Sequence, residues 1–468
     1  MTDNRLALLG GKPLGVPAPA SRWPLIDKAS VRQVVDLLES GHTVALGRTS
    51  EVIRKAEDSL SAYHGGRHVL TTNSGHAALM CALMGLEIGD GDEVITTPCT
   101  WGASTSCILS VGAVPVFADV DRVSGLLDPR KIEAAITPRT KAVLAVHLYG
   151  QPADMPAINR VARKHGLKVI EDGSQAHGAR IGSQVVGTFS DAAGFSSMGG
   201  KLLATSEAGF LVTPHEEVFW KAAMMCQHYG RSAEPEFPDE FKPYVDSLVY
   251  TFRLSPLIAA LFPAQVKRLD GQVAVRGENA AVFREAVSAC RFMRIPKYRK
   301  GVEPGFYVLT TNFLSEKAGV RRETFLAALK AEGVQAFAYV PEGIQHWRRL
   351  RWKGYDGPVP HWQGQLRRAK IDYSSQPLPN CDYKVEHAVE LSFTRWHKPA
   401  RRAMRRMADV FLKVEDQIES LREYEREFDR AGDRKDEAAQ DERTGAGTER
   451  ALSEARRAAA SYQRGKGR

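Results

Sequence analysis

Lys201 is the residue whose surroundings most clearly suggest chemistry. It follows two glycines in the segment GFSSMGGKLLATSEAGF, residues 194–210. A phosphate-binding loop of the form GxxxxGK[ST] needs four residues between its glycines and a hydroxyl residue after its lysine. Here five residues separate Gly194 from Gly200, and Leu202 follows the lysine, so that interpretation fails. A surface charge and an amine that condenses with an aldehyde cofactor both remain open.

A Schiff-base lysine needs an anchor for the cofactor's phosphate, a carboxylate for its ring nitrogen and a flat group over the ring. The segment 73–76 (NSGH) places a glycine turn at the start of a predicted helix, where free N–H groups attract an anion. Asp172 ends the apolar run KVIED, and Trp101 follows the run EVITTP. Ser196, five residues before Lys201, offers a further hydroxyl. The sequence therefore contains each partner that a Schiff-base lysine requires.

A sheet must position these residues, and the pattern between residues 69 and 213 predicts one. Helical patterns separate most of the short apolar runs, which lie at 93–98, 114–120, 142–150, 168–173, 192–197 and 208–213. Apolar strands that alternate with helices are typical of a mostly parallel sheet covered on both faces. Such sheets build their sites at the carboxyl ends of the strands, where Trp101 and Asp172 would lie.

The chain of 468 residues is long enough for two domains. We predict that residues 1–300 form an N-terminal segment and a large domain, because long helical patterns follow the sheet pattern up to residue 300. A smaller C-terminal α/β domain is predicted for residues 301–424, which contain the strand pattern VLTTNFLS near their start. Residues 425–468 have almost no aliphatic side chains and are predicted to form a disordered charged tail.

The composition and charge of the chain bear on its location, its structural sites and its possible partners. The sequence shows no stretch that could span a bilayer and no signal-peptide pattern, and its six cysteines are scattered without a CxxC pair. These features predict a cytoplasmic protein without a zinc ribbon or a disulfide framework. The net charge is +9, and residues 345–370 carry seven Arg or Lys and three Trp. That segment is compatible with a nucleic-acid surface, a loop that binds an anionic small molecule, or a solvated basic face.

Five separated motifs resemble those of the DegT/DnrJ/EryC1/StrS family. They are LALLGGKP (6–13), NSGHAAL (73–79), VHLYGQPADM (146–155), EDGSQAHGA (171–179) and SSMGGKLLATSEAGFLVT (196–213). The resemblance covers residues 6–425 and implies the α/β fold-type I architecture of sugar and cyclitol aminotransferases that use pyridoxal 5'-phosphate. The GGKP start and the GGKLL lysine loop resemble the cyclitol and aminohydroxybenzoate-synthase branch.

The resemblance also implies a role for each site residue. Lys201 would form the internal aldimine with pyridoxal phosphate, Asp172 would pair with the pyridine nitrogen, and Trp101 would stack on the ring. Gln175 would lie near the phenolic oxygen of the cofactor. The phosphate anchors would be Ser74, Gly75, His76, Ser196 and Thr251.

Three parts of the sequence depart from the family pattern. His76 stands where the family has Thr, and Thr251 stands where it has the Asn that reaches the phosphate of the neighbouring subunit's cofactor. Thr251 could still donate a hydrogen bond, or Arg253 could compensate; without either, we expect lower cofactor affinity. Residues 206–209 (SEAG) replace the family's Gly-Glu-Gly-Gly, a milder change because Ala fits most backbone conformations that do not need a positive φ.

The resemblance implies transfer of an amino group from glutamine or glutamate to a keto-cyclitol or keto-sugar, which could be nucleotide-linked. Two alternatives stay open: a dehydratase or aromatising synthase on the same fold, and a non-catalytic partner or regulator. The presence of Lys201 and Asp172 favours transamination. The resemblance further implies a homodimer with shared active sites. Neither a membrane nor a nucleic acid is expected as a partner.

Overall fold

The computed structural model describes residues 4–227, 229–358 and 361–436. The strands, numbered in chain order, are β1 (His68–Thr72), β2 (Glu93–Thr96), β3 (Val114–Phe117), β4 (Thr140–Val146), β5 (Lys168–Asp172), β6 (Arg180–Ile181), β7 (Gln184–Val185), β8 (Ala192–Ser196), β9 (Gly209–Thr213), β10 (Met293–Arg294), β11 (Val302–Glu303), β12 (Val308–Phe313), β13 (Ala336–Phe337) and β14 (Ala388–Ser392). The α-helices are α1 (Lys28–Glu39), α2 (Glu51–Tyr63), α3 (Gly75–Gly85), α4 (Ala103–Ser110), α5 (Pro129–Ile132), α6 (Met155–Lys164), α7 (Glu216–Cys226), α8 (Pro256–Ala259), α9 (Phe262–Val287), α10 (Ser315–Ala318), α11 (Arg322–Ala331), α12 (Gln363–Ala369), α13 (Pro379–His387), α14 (Arg401–Asp416) and α15 (Ile418–Asp436).

Seven strands form the central sheet, in the order β1-β9-β8-β5-β4-β2-β3. Strands β3, β2, β4, β5 and β8 are parallel, whereas β9 runs antiparallel between β8 and β1. β4 and β5 are buried along nearly their whole length, as expected for strands packed on both faces of the sheet. The predicted α/β fold with a mostly parallel sheet is confirmed.

A second, antiparallel sheet has the order β10-β12-β14-β13 and a hydrophobic core of its own. The N-terminal segment packs on this core, where Leu6 is fully buried. The Glu332 carboxylate accepts hydrogen bonds from the backbone N–H groups of Ala7 and Leu14, each at 2.8 Å. The segment that precedes the large sheet in sequence is therefore attached to the smaller sheet.

Residues 340–358 and 361–385 follow the second sheet's first strands in sequence but pack on the core of the seven-stranded sheet. The Tyr373 hydroxyl donates to the carbonyl of Pro115 at 2.7 Å, and Gln365 Nε2 donates to the carbonyl of Leu109 at 3.0 Å. The predicted boundary at residue 301 thus separates neither the sheets nor the cores cleanly, since β10 lies before it and pairs with β12 of the second sheet. Hydrophobic contacts between distant segments decide core membership, and periodicity along the chain does not report them.

Helix α15 continues to Asp436, so the segment predicted to be disordered from residue 425 begins as a helix. Glu425, the first residue of the predicted tail, is held against the protein because its buried carboxylate accepts a hydrogen bond from the backbone N–H of Arg321 at 2.9 Å. The rest of the predicted tail, residues 437–468, lies outside the described residues. Among the helices that are described, none is long and apolar enough to cross a membrane.

Candidate active site

Lys201 lies in the connection between β8 and β9 and exposes 9% of its surface. Its backbone N–H donates to the carbonyl of Met198 at 2.8 Å, and its carbonyl accepts from the Trp23 indole at 3.2 Å. Burial lowers the pKa of the Lys201 amine to about 8, although the charge of Asp172 acts in the opposite direction. The lysine is therefore a buried amine on a fixed loop, and the surface-charge interpretation is excluded.

Asp172 is the last residue of β5, paired in register with Gly194 of β8. Its buried carboxylate has one hydrogen bond on each oxygen: Oδ2 accepts from Ser104 Oγ at 2.7 Å, and Oδ1 accepts from the Ser174 N–H at 3.0 Å. Ser104 also lies 3.2 Å from the hydroxyl of Thr100. A carboxylate at the end of an apolar strand is thus held in one orientation near the amine of Lys201.

The turn from β1 into α3 forms the third part of the site. The Ser74 hydroxyl accepts from the Ala77 N–H at 3.1 Å and caps the helix. A Cβ on Gly75 would stand 2.5 Å from Ser196 Cβ, so only glycine lets this turn approach the end of β8. The free N–H groups at the start of α3 and the Ser196 hydroxyl are therefore close together, as an anion site requires.

His76 lies in the first turn of α3 and interacts electrostatically with the carboxylate of Asp172. Burial lowers the pKa of His76, and the charge of Asp172 opposes that effect. Its Nε2 is buried and has no hydrogen-bond partner within the described residues. An unpaired buried nitrogen costs free energy unless a ligand or water satisfies it. This orphaned atom, with the anion site, the Asp172 carboxylate and the buried amine, fits the phosphate-bearing aldehyde cofactor predicted from the sequence.

Gln175 is held at both ends of its amide. Its Oε1 accepts from the Tyr149 N–H at 2.8 Å, and its Nε2 donates to the Tyr339 hydroxyl at 3.2 Å. Tyr149 has a φ of +65°, an unusual conformation for a residue other than glycine. The amide of Gln175 is therefore fixed by aromatic residues from both parts of the molecule.

Tyr307 and Tyr339 complete the surroundings of Lys201, and sequence reasoning missed both. The Lys201 Nζ lies 4.8 Å from the centre of the Tyr307 ring, a cation–π contact. The Tyr307 and Tyr339 rings meet edge to face at 6.1 Å, and their hydroxyls interact. Each tyrosine flanks a strand of the second sheet, where no local pattern distinguishes it from an ordinary core aromatic residue.

The two histidines inside the sequence motifs have different surroundings. Both ring nitrogens of His147 are occupied: Nδ1 accepts from the Ala153 N–H at 2.9 Å, and Nε2 lies 3.0 Å from Glu171 Oε2. His147 is therefore a structural, hydrogen-bonded residue. His177 is fully buried, and burial together with nearby Lys201 holds its pKa well below the usual range. It packs as a neutral ring against Phe195, with 5.3 Å between the ring centres.

Trp101 and Thr251 lie at the exposed margin of the site. Trp101 leaves 64% of its surface accessible, and the neighbouring Gly102 is covered by the Trp347 ring. Thr251 is exposed and has a φ of +51°, a conformation that Asn tolerates much better than a β-branched residue. The next residue, Phe252, accepts a hydrogen bond at its carbonyl from the Asn73 N–H at 2.9 Å. This places the Thr251 backbone beside the β1–α3 turn of the same chain.

The tryptophans of the basic segment 345–370 are engaged within the protein. The Trp352 indole donates to the carbonyl of Ile371 at 2.9 Å, and the Trp362 indole donates to that of Arg349 at 3.2 Å. Both rings pack on the core of the large sheet. Nucleic-acid surfaces stack bases on free aromatic faces. The packing of these rings therefore argues against that interpretation.

The chain matches known proteins over most of its length. The sequence profile of the DegT/DnrJ/EryC1/StrS aminotransferase family matches residues 24–354. The chain is 34% identical over 334 residues to a putative L-glutamine:3-amino-2,3-dideoxy-scyllo-inosose aminotransferase of Micromonospora echinospora, across 71% of this chain and 78% of the relative. It is 37% identical over 289 residues to the UDP-N-acetyl-3-dehydro-alpha-D-glucosamine 3-aminotransferase of Acidithiobacillus ferrooxidans, across 62% and 74%. The solved structure of 3-amino-5-hydroxybenzoic acid synthase is similar with a TM-score of 0.70, at 27% identity, over 86% of this chain and 98% of that one.

Proposed function

The chain belongs to the DegT/DnrJ/EryC1/StrS aminotransferase family, and from that premise we propose its reaction and the residues that carry it. It is a pyridoxal-phosphate-dependent aminotransferase of sugar or cyclitol biosynthesis. We propose that it moves an amino group from glutamine or glutamate to a ketone on a cyclitol or a sugar. The observation that carries this proposal is the buried amine of Lys201 beside the fixed carboxylate of Asp172.

Pyridoxal phosphate supplies an aldehyde that condenses with amines and a ring that withdraws electrons from the bond to be broken. The first turn of α3, with Ser74 and Ser196, would hold its phosphate. Asp172 would hold its ring nitrogen, Gln175 its phenolic oxygen, and Trp101 would cover its ring. The Nε2 of His76 has no hydrogen-bond partner in the described part of the chain, which supports the presence of a further acceptor at this place.

Lys201 would hold the cofactor and move a proton at the reacting carbon of the donor and then of the acceptor. Only a neutral amine can attack an aldehyde or accept a proton. A pKa of about 8 leaves a far larger neutral fraction at physiological pH than an ordinary lysine has. Burial by the surrounding protein thus prepares Lys201 for both tasks.

The acceptor is proposed from the two relatives, one named for a scyllo-inosose derivative and the other for a UDP-linked sugar. The Trp347 ring covers Gly102, next to Trp101, and two exposed cations follow it, of which Arg348 pairs with Asp356. The charge of Arg349 would attract an anionic, nucleotide-linked acceptor to the entrance. Measuring kcat/KM with scyllo-inosose and with a UDP-linked 3-keto sugar, at low and high salt, would decide between the two classes.

We infer that the protein acts as a homodimer. Helix α1 exposes three apolar side chains at helical spacing, Val31, Val35 and Leu38. The segment before Thr251 exposes Leu248 and further large apolar side chains, Tyr244 and Tyr250. Monomeric proteins rarely leave so many large apolar side chains uncovered, and a second copy of the chain is the partner we propose.

The six cysteines lie within the described residues, and all of them are free and buried. Unpaired cysteines are typical of proteins in a reducing compartment. We therefore propose a cytoplasmic location.

The visible absorption spectrum with pyridoxal phosphate, before and after addition of L-glutamine or L-glutamate, tests the proposed function. We expect a cofactor band that Lys201→Ala lacks and that bleaches with one of these donors. A lysine-dependent band that ignores both donors would favour the dehydratase alternative. The absence of any lysine-dependent band would refute the proposal.

A further inference from the structure

Lys384 is a fully buried lysine on α13 that the proposed reaction does not use. Its Nζ donates to Thr310 Oγ1 and to Asn312 Oδ1 on β12, each at 2.6 Å. It also lies 3.7 Å from Glu390 Oε1 on β14. Burial lowers the pKa of Lys384, and the charge of Glu390 opposes that change. Burying two charges costs desolvation free energy, and removing one partner of a buried pair is strongly destabilising. The contacts of Lys384 extend towards the neighbouring site.

The first connection from Lys384 to the active site runs through Glu390. Thr310 Oγ1, which accepts from Lys384, donates in turn to Glu390 Oε1 at 3.0 Å. The other oxygen, Glu390 Oε2, accepts from the backbone N–H of Tyr339 at 2.5 Å. The hydroxyl of Tyr339 then accepts from Gln175 Nε2 at 3.2 Å. The buried lysine is therefore connected to the amide of Gln175 by hydrogen bonds to the backbone and to the hydroxyl of Tyr339.

The second connection runs through Tyr149. Lys384 Nζ lies 5.3 Å from the centre of the Tyr149 ring, and the Tyr149 hydroxyl interacts with Glu390. The backbone N–H of Tyr149 donates to Gln175 Oε1 at 2.8 Å. The positive φ of Tyr149 is a strained conformation that persists only where its surroundings fix it. Tyr149 and Tyr339 thus hydrogen-bond the two ends of the Gln175 amide, and both tyrosines interact with Glu390.

We propose that Lys384 is a positioning residue, which fixes the Glu390 carboxylate and, through Tyr149 and Tyr339, the amide of Gln175 at the reaction site. The inference rests on the proposed function, in which Gln175 contacts the cofactor. Through Gln175, the second sheet would thus influence the cofactor indirectly, in addition to its share in forming the fold.

Lys413 provides a matched control. It is also a buried lysine paired with a buried glutamate, since its Nζ donates to Glu332 Oε1 at 2.8 Å. Its other partner is the carbonyl of Lys12 in the N-terminal segment. Lys384→Met and Lys413→Met therefore remove equivalent charges, but only the first touches the network around Gln175.

The test measures cofactor affinity, the wavelength of the cofactor band, kcat, KM and Tm for both variants. We expect both to lower Tm. Lys384→Met should also weaken cofactor binding and lower kcat by about tenfold each and shift the band, because small displacements of positioning groups are costly. Lys413→Met should change affinity and kcat by less than about twofold. Unchanged affinity, band and kcat in Lys384→Met, or equal losses in Lys413→Met, would overturn the proposal.

A double variant separates charge from packing. In Lys384→Met with Glu390→Gln, no buried charge is left unpaired, and the amide oxygen of residue 390 can still accept from Tyr339 N–H. We expect this variant to recover most of the cofactor affinity and the band position that Lys384→Met loses. A double variant no better than Lys384→Met would contradict the proposed role of the charge pair.

Tyr339→Phe tests the same connection with the buried charges intact, and so remains informative if Lys384→Met does not fold. We expect it to reproduce the band shift with little change in Tm, and to add little to the defect of Lys384→Met when the two are combined. Additive defects would contradict the connection.

Wild-type protein that binds no pyridoxal phosphate would refute the proposed function and this inference together. A wild type that binds it normally, with an unaffected Lys384→Met, would refute this inference alone.

Discussion

Gly75 lies against Ser196 so closely that a Cβ on residue 75 would stand 2.5 Å from the Cβ of Ser196. This contact joins the start of α3 directly to the end of β8. Gly209 shows a similar approach, because a Cβ there would stand 2.3 Å from the carbonyl oxygen of Ser74. The proposed phosphate site therefore depends on two glycines, one at the start of α3 and one at the start of β9.

Gly75→Ala should weaken the binding of pyridoxal phosphate by at least about tenfold, because the added methyl group separates the turn from Ser196. The same overpacking should lower the free energy of unfolding by about 1–3 kcal/mol. Cofactor titration by absorbance and thermal unfolding measure the two effects. Gly271→Ala is the matched control, since a Cβ on this helical glycine meets open space. It should bind the cofactor normally and unfold at a slightly higher temperature.

The rate at which the apo-protein forms its cofactor band should rise as pH increases through about 8, the lowered pKa of Lys201. Below that pH the amine is mostly protonated and does not react; above it the neutral form dominates and the rate levels off. Stopped-flow absorbance over a pH series that brackets this value measures the midpoint. In Asp172→Asn the midpoint should move to lower pH, because the charge that favours the ammonium form is gone. An upward shift would contradict the electrostatic coupling of the two residues.

His147→Ala should lower the free energy of unfolding by about 1–3 kcal/mol, because fully buried Glu171 loses one of its hydrogen-bond donors. The cofactor band should stay unchanged in the protein that folds. His165→Ala is the control: this histidine forms a similar pair with Glu133 at an exposed place and should leave Tm unchanged. A loss of the cofactor band in folded His147→Ala would show that His147 acts in the site.

Thr251→Asn should raise the free energy of unfolding by about 0.5–1 kcal/mol, because Asn tolerates the left-handed backbone conformation better than a β-branched residue does. It should also tighten cofactor binding if the amide reaches a phosphate. Thr251→Gly relieves the same strain without supplying an amide, so comparison of the two variants by thermal unfolding and cofactor titration separates conformation from hydrogen bonding. A lower Tm in both variants would contradict the strain at this position.

Val35→Glu and Leu248→Glu should convert the protein to a monomer, because each places a charge in the proposed dimer interface. Both should also abolish turnover, because the family resemblance implies active sites shared between two subunits. Light scattering coupled to size-exclusion chromatography measures the mass. Val44→Glu, another exposed apolar position, tests how far the interface extends. Wild-type protein that is monomeric at micromolar concentration would contradict the proposed dimer.

The sequence permits prediction of those parts of the site that lie at strand ends. Asp172 and Trp101 could be placed because parallel strands bring their carboxyl ends to one edge, and Ser74 because a glycine turn there precedes a helix. Tyr307 and Tyr339 could not be predicted, since they enter from the second sheet through side-chain contacts alone. The core shared by residues 340–385 and the large sheet was missed for the same reason. Whether the predicted residues bind the cofactor stays a prediction.

The attachment of the N-terminal segment to the second sheet has a consequence for synthesis of the protein. Lys12 is bonded through its carbonyl to Lys413, 401 positions later in the chain. At roughly 5–20 residues per second, a ribosome needs about 20–80 s to supply that partner. During this time Leu6 and its neighbours have no native core to enter, and this apolar segment of the emerging chain stays uncovered. Chaperone contact with the segment around Leu6 is therefore expected in this interval.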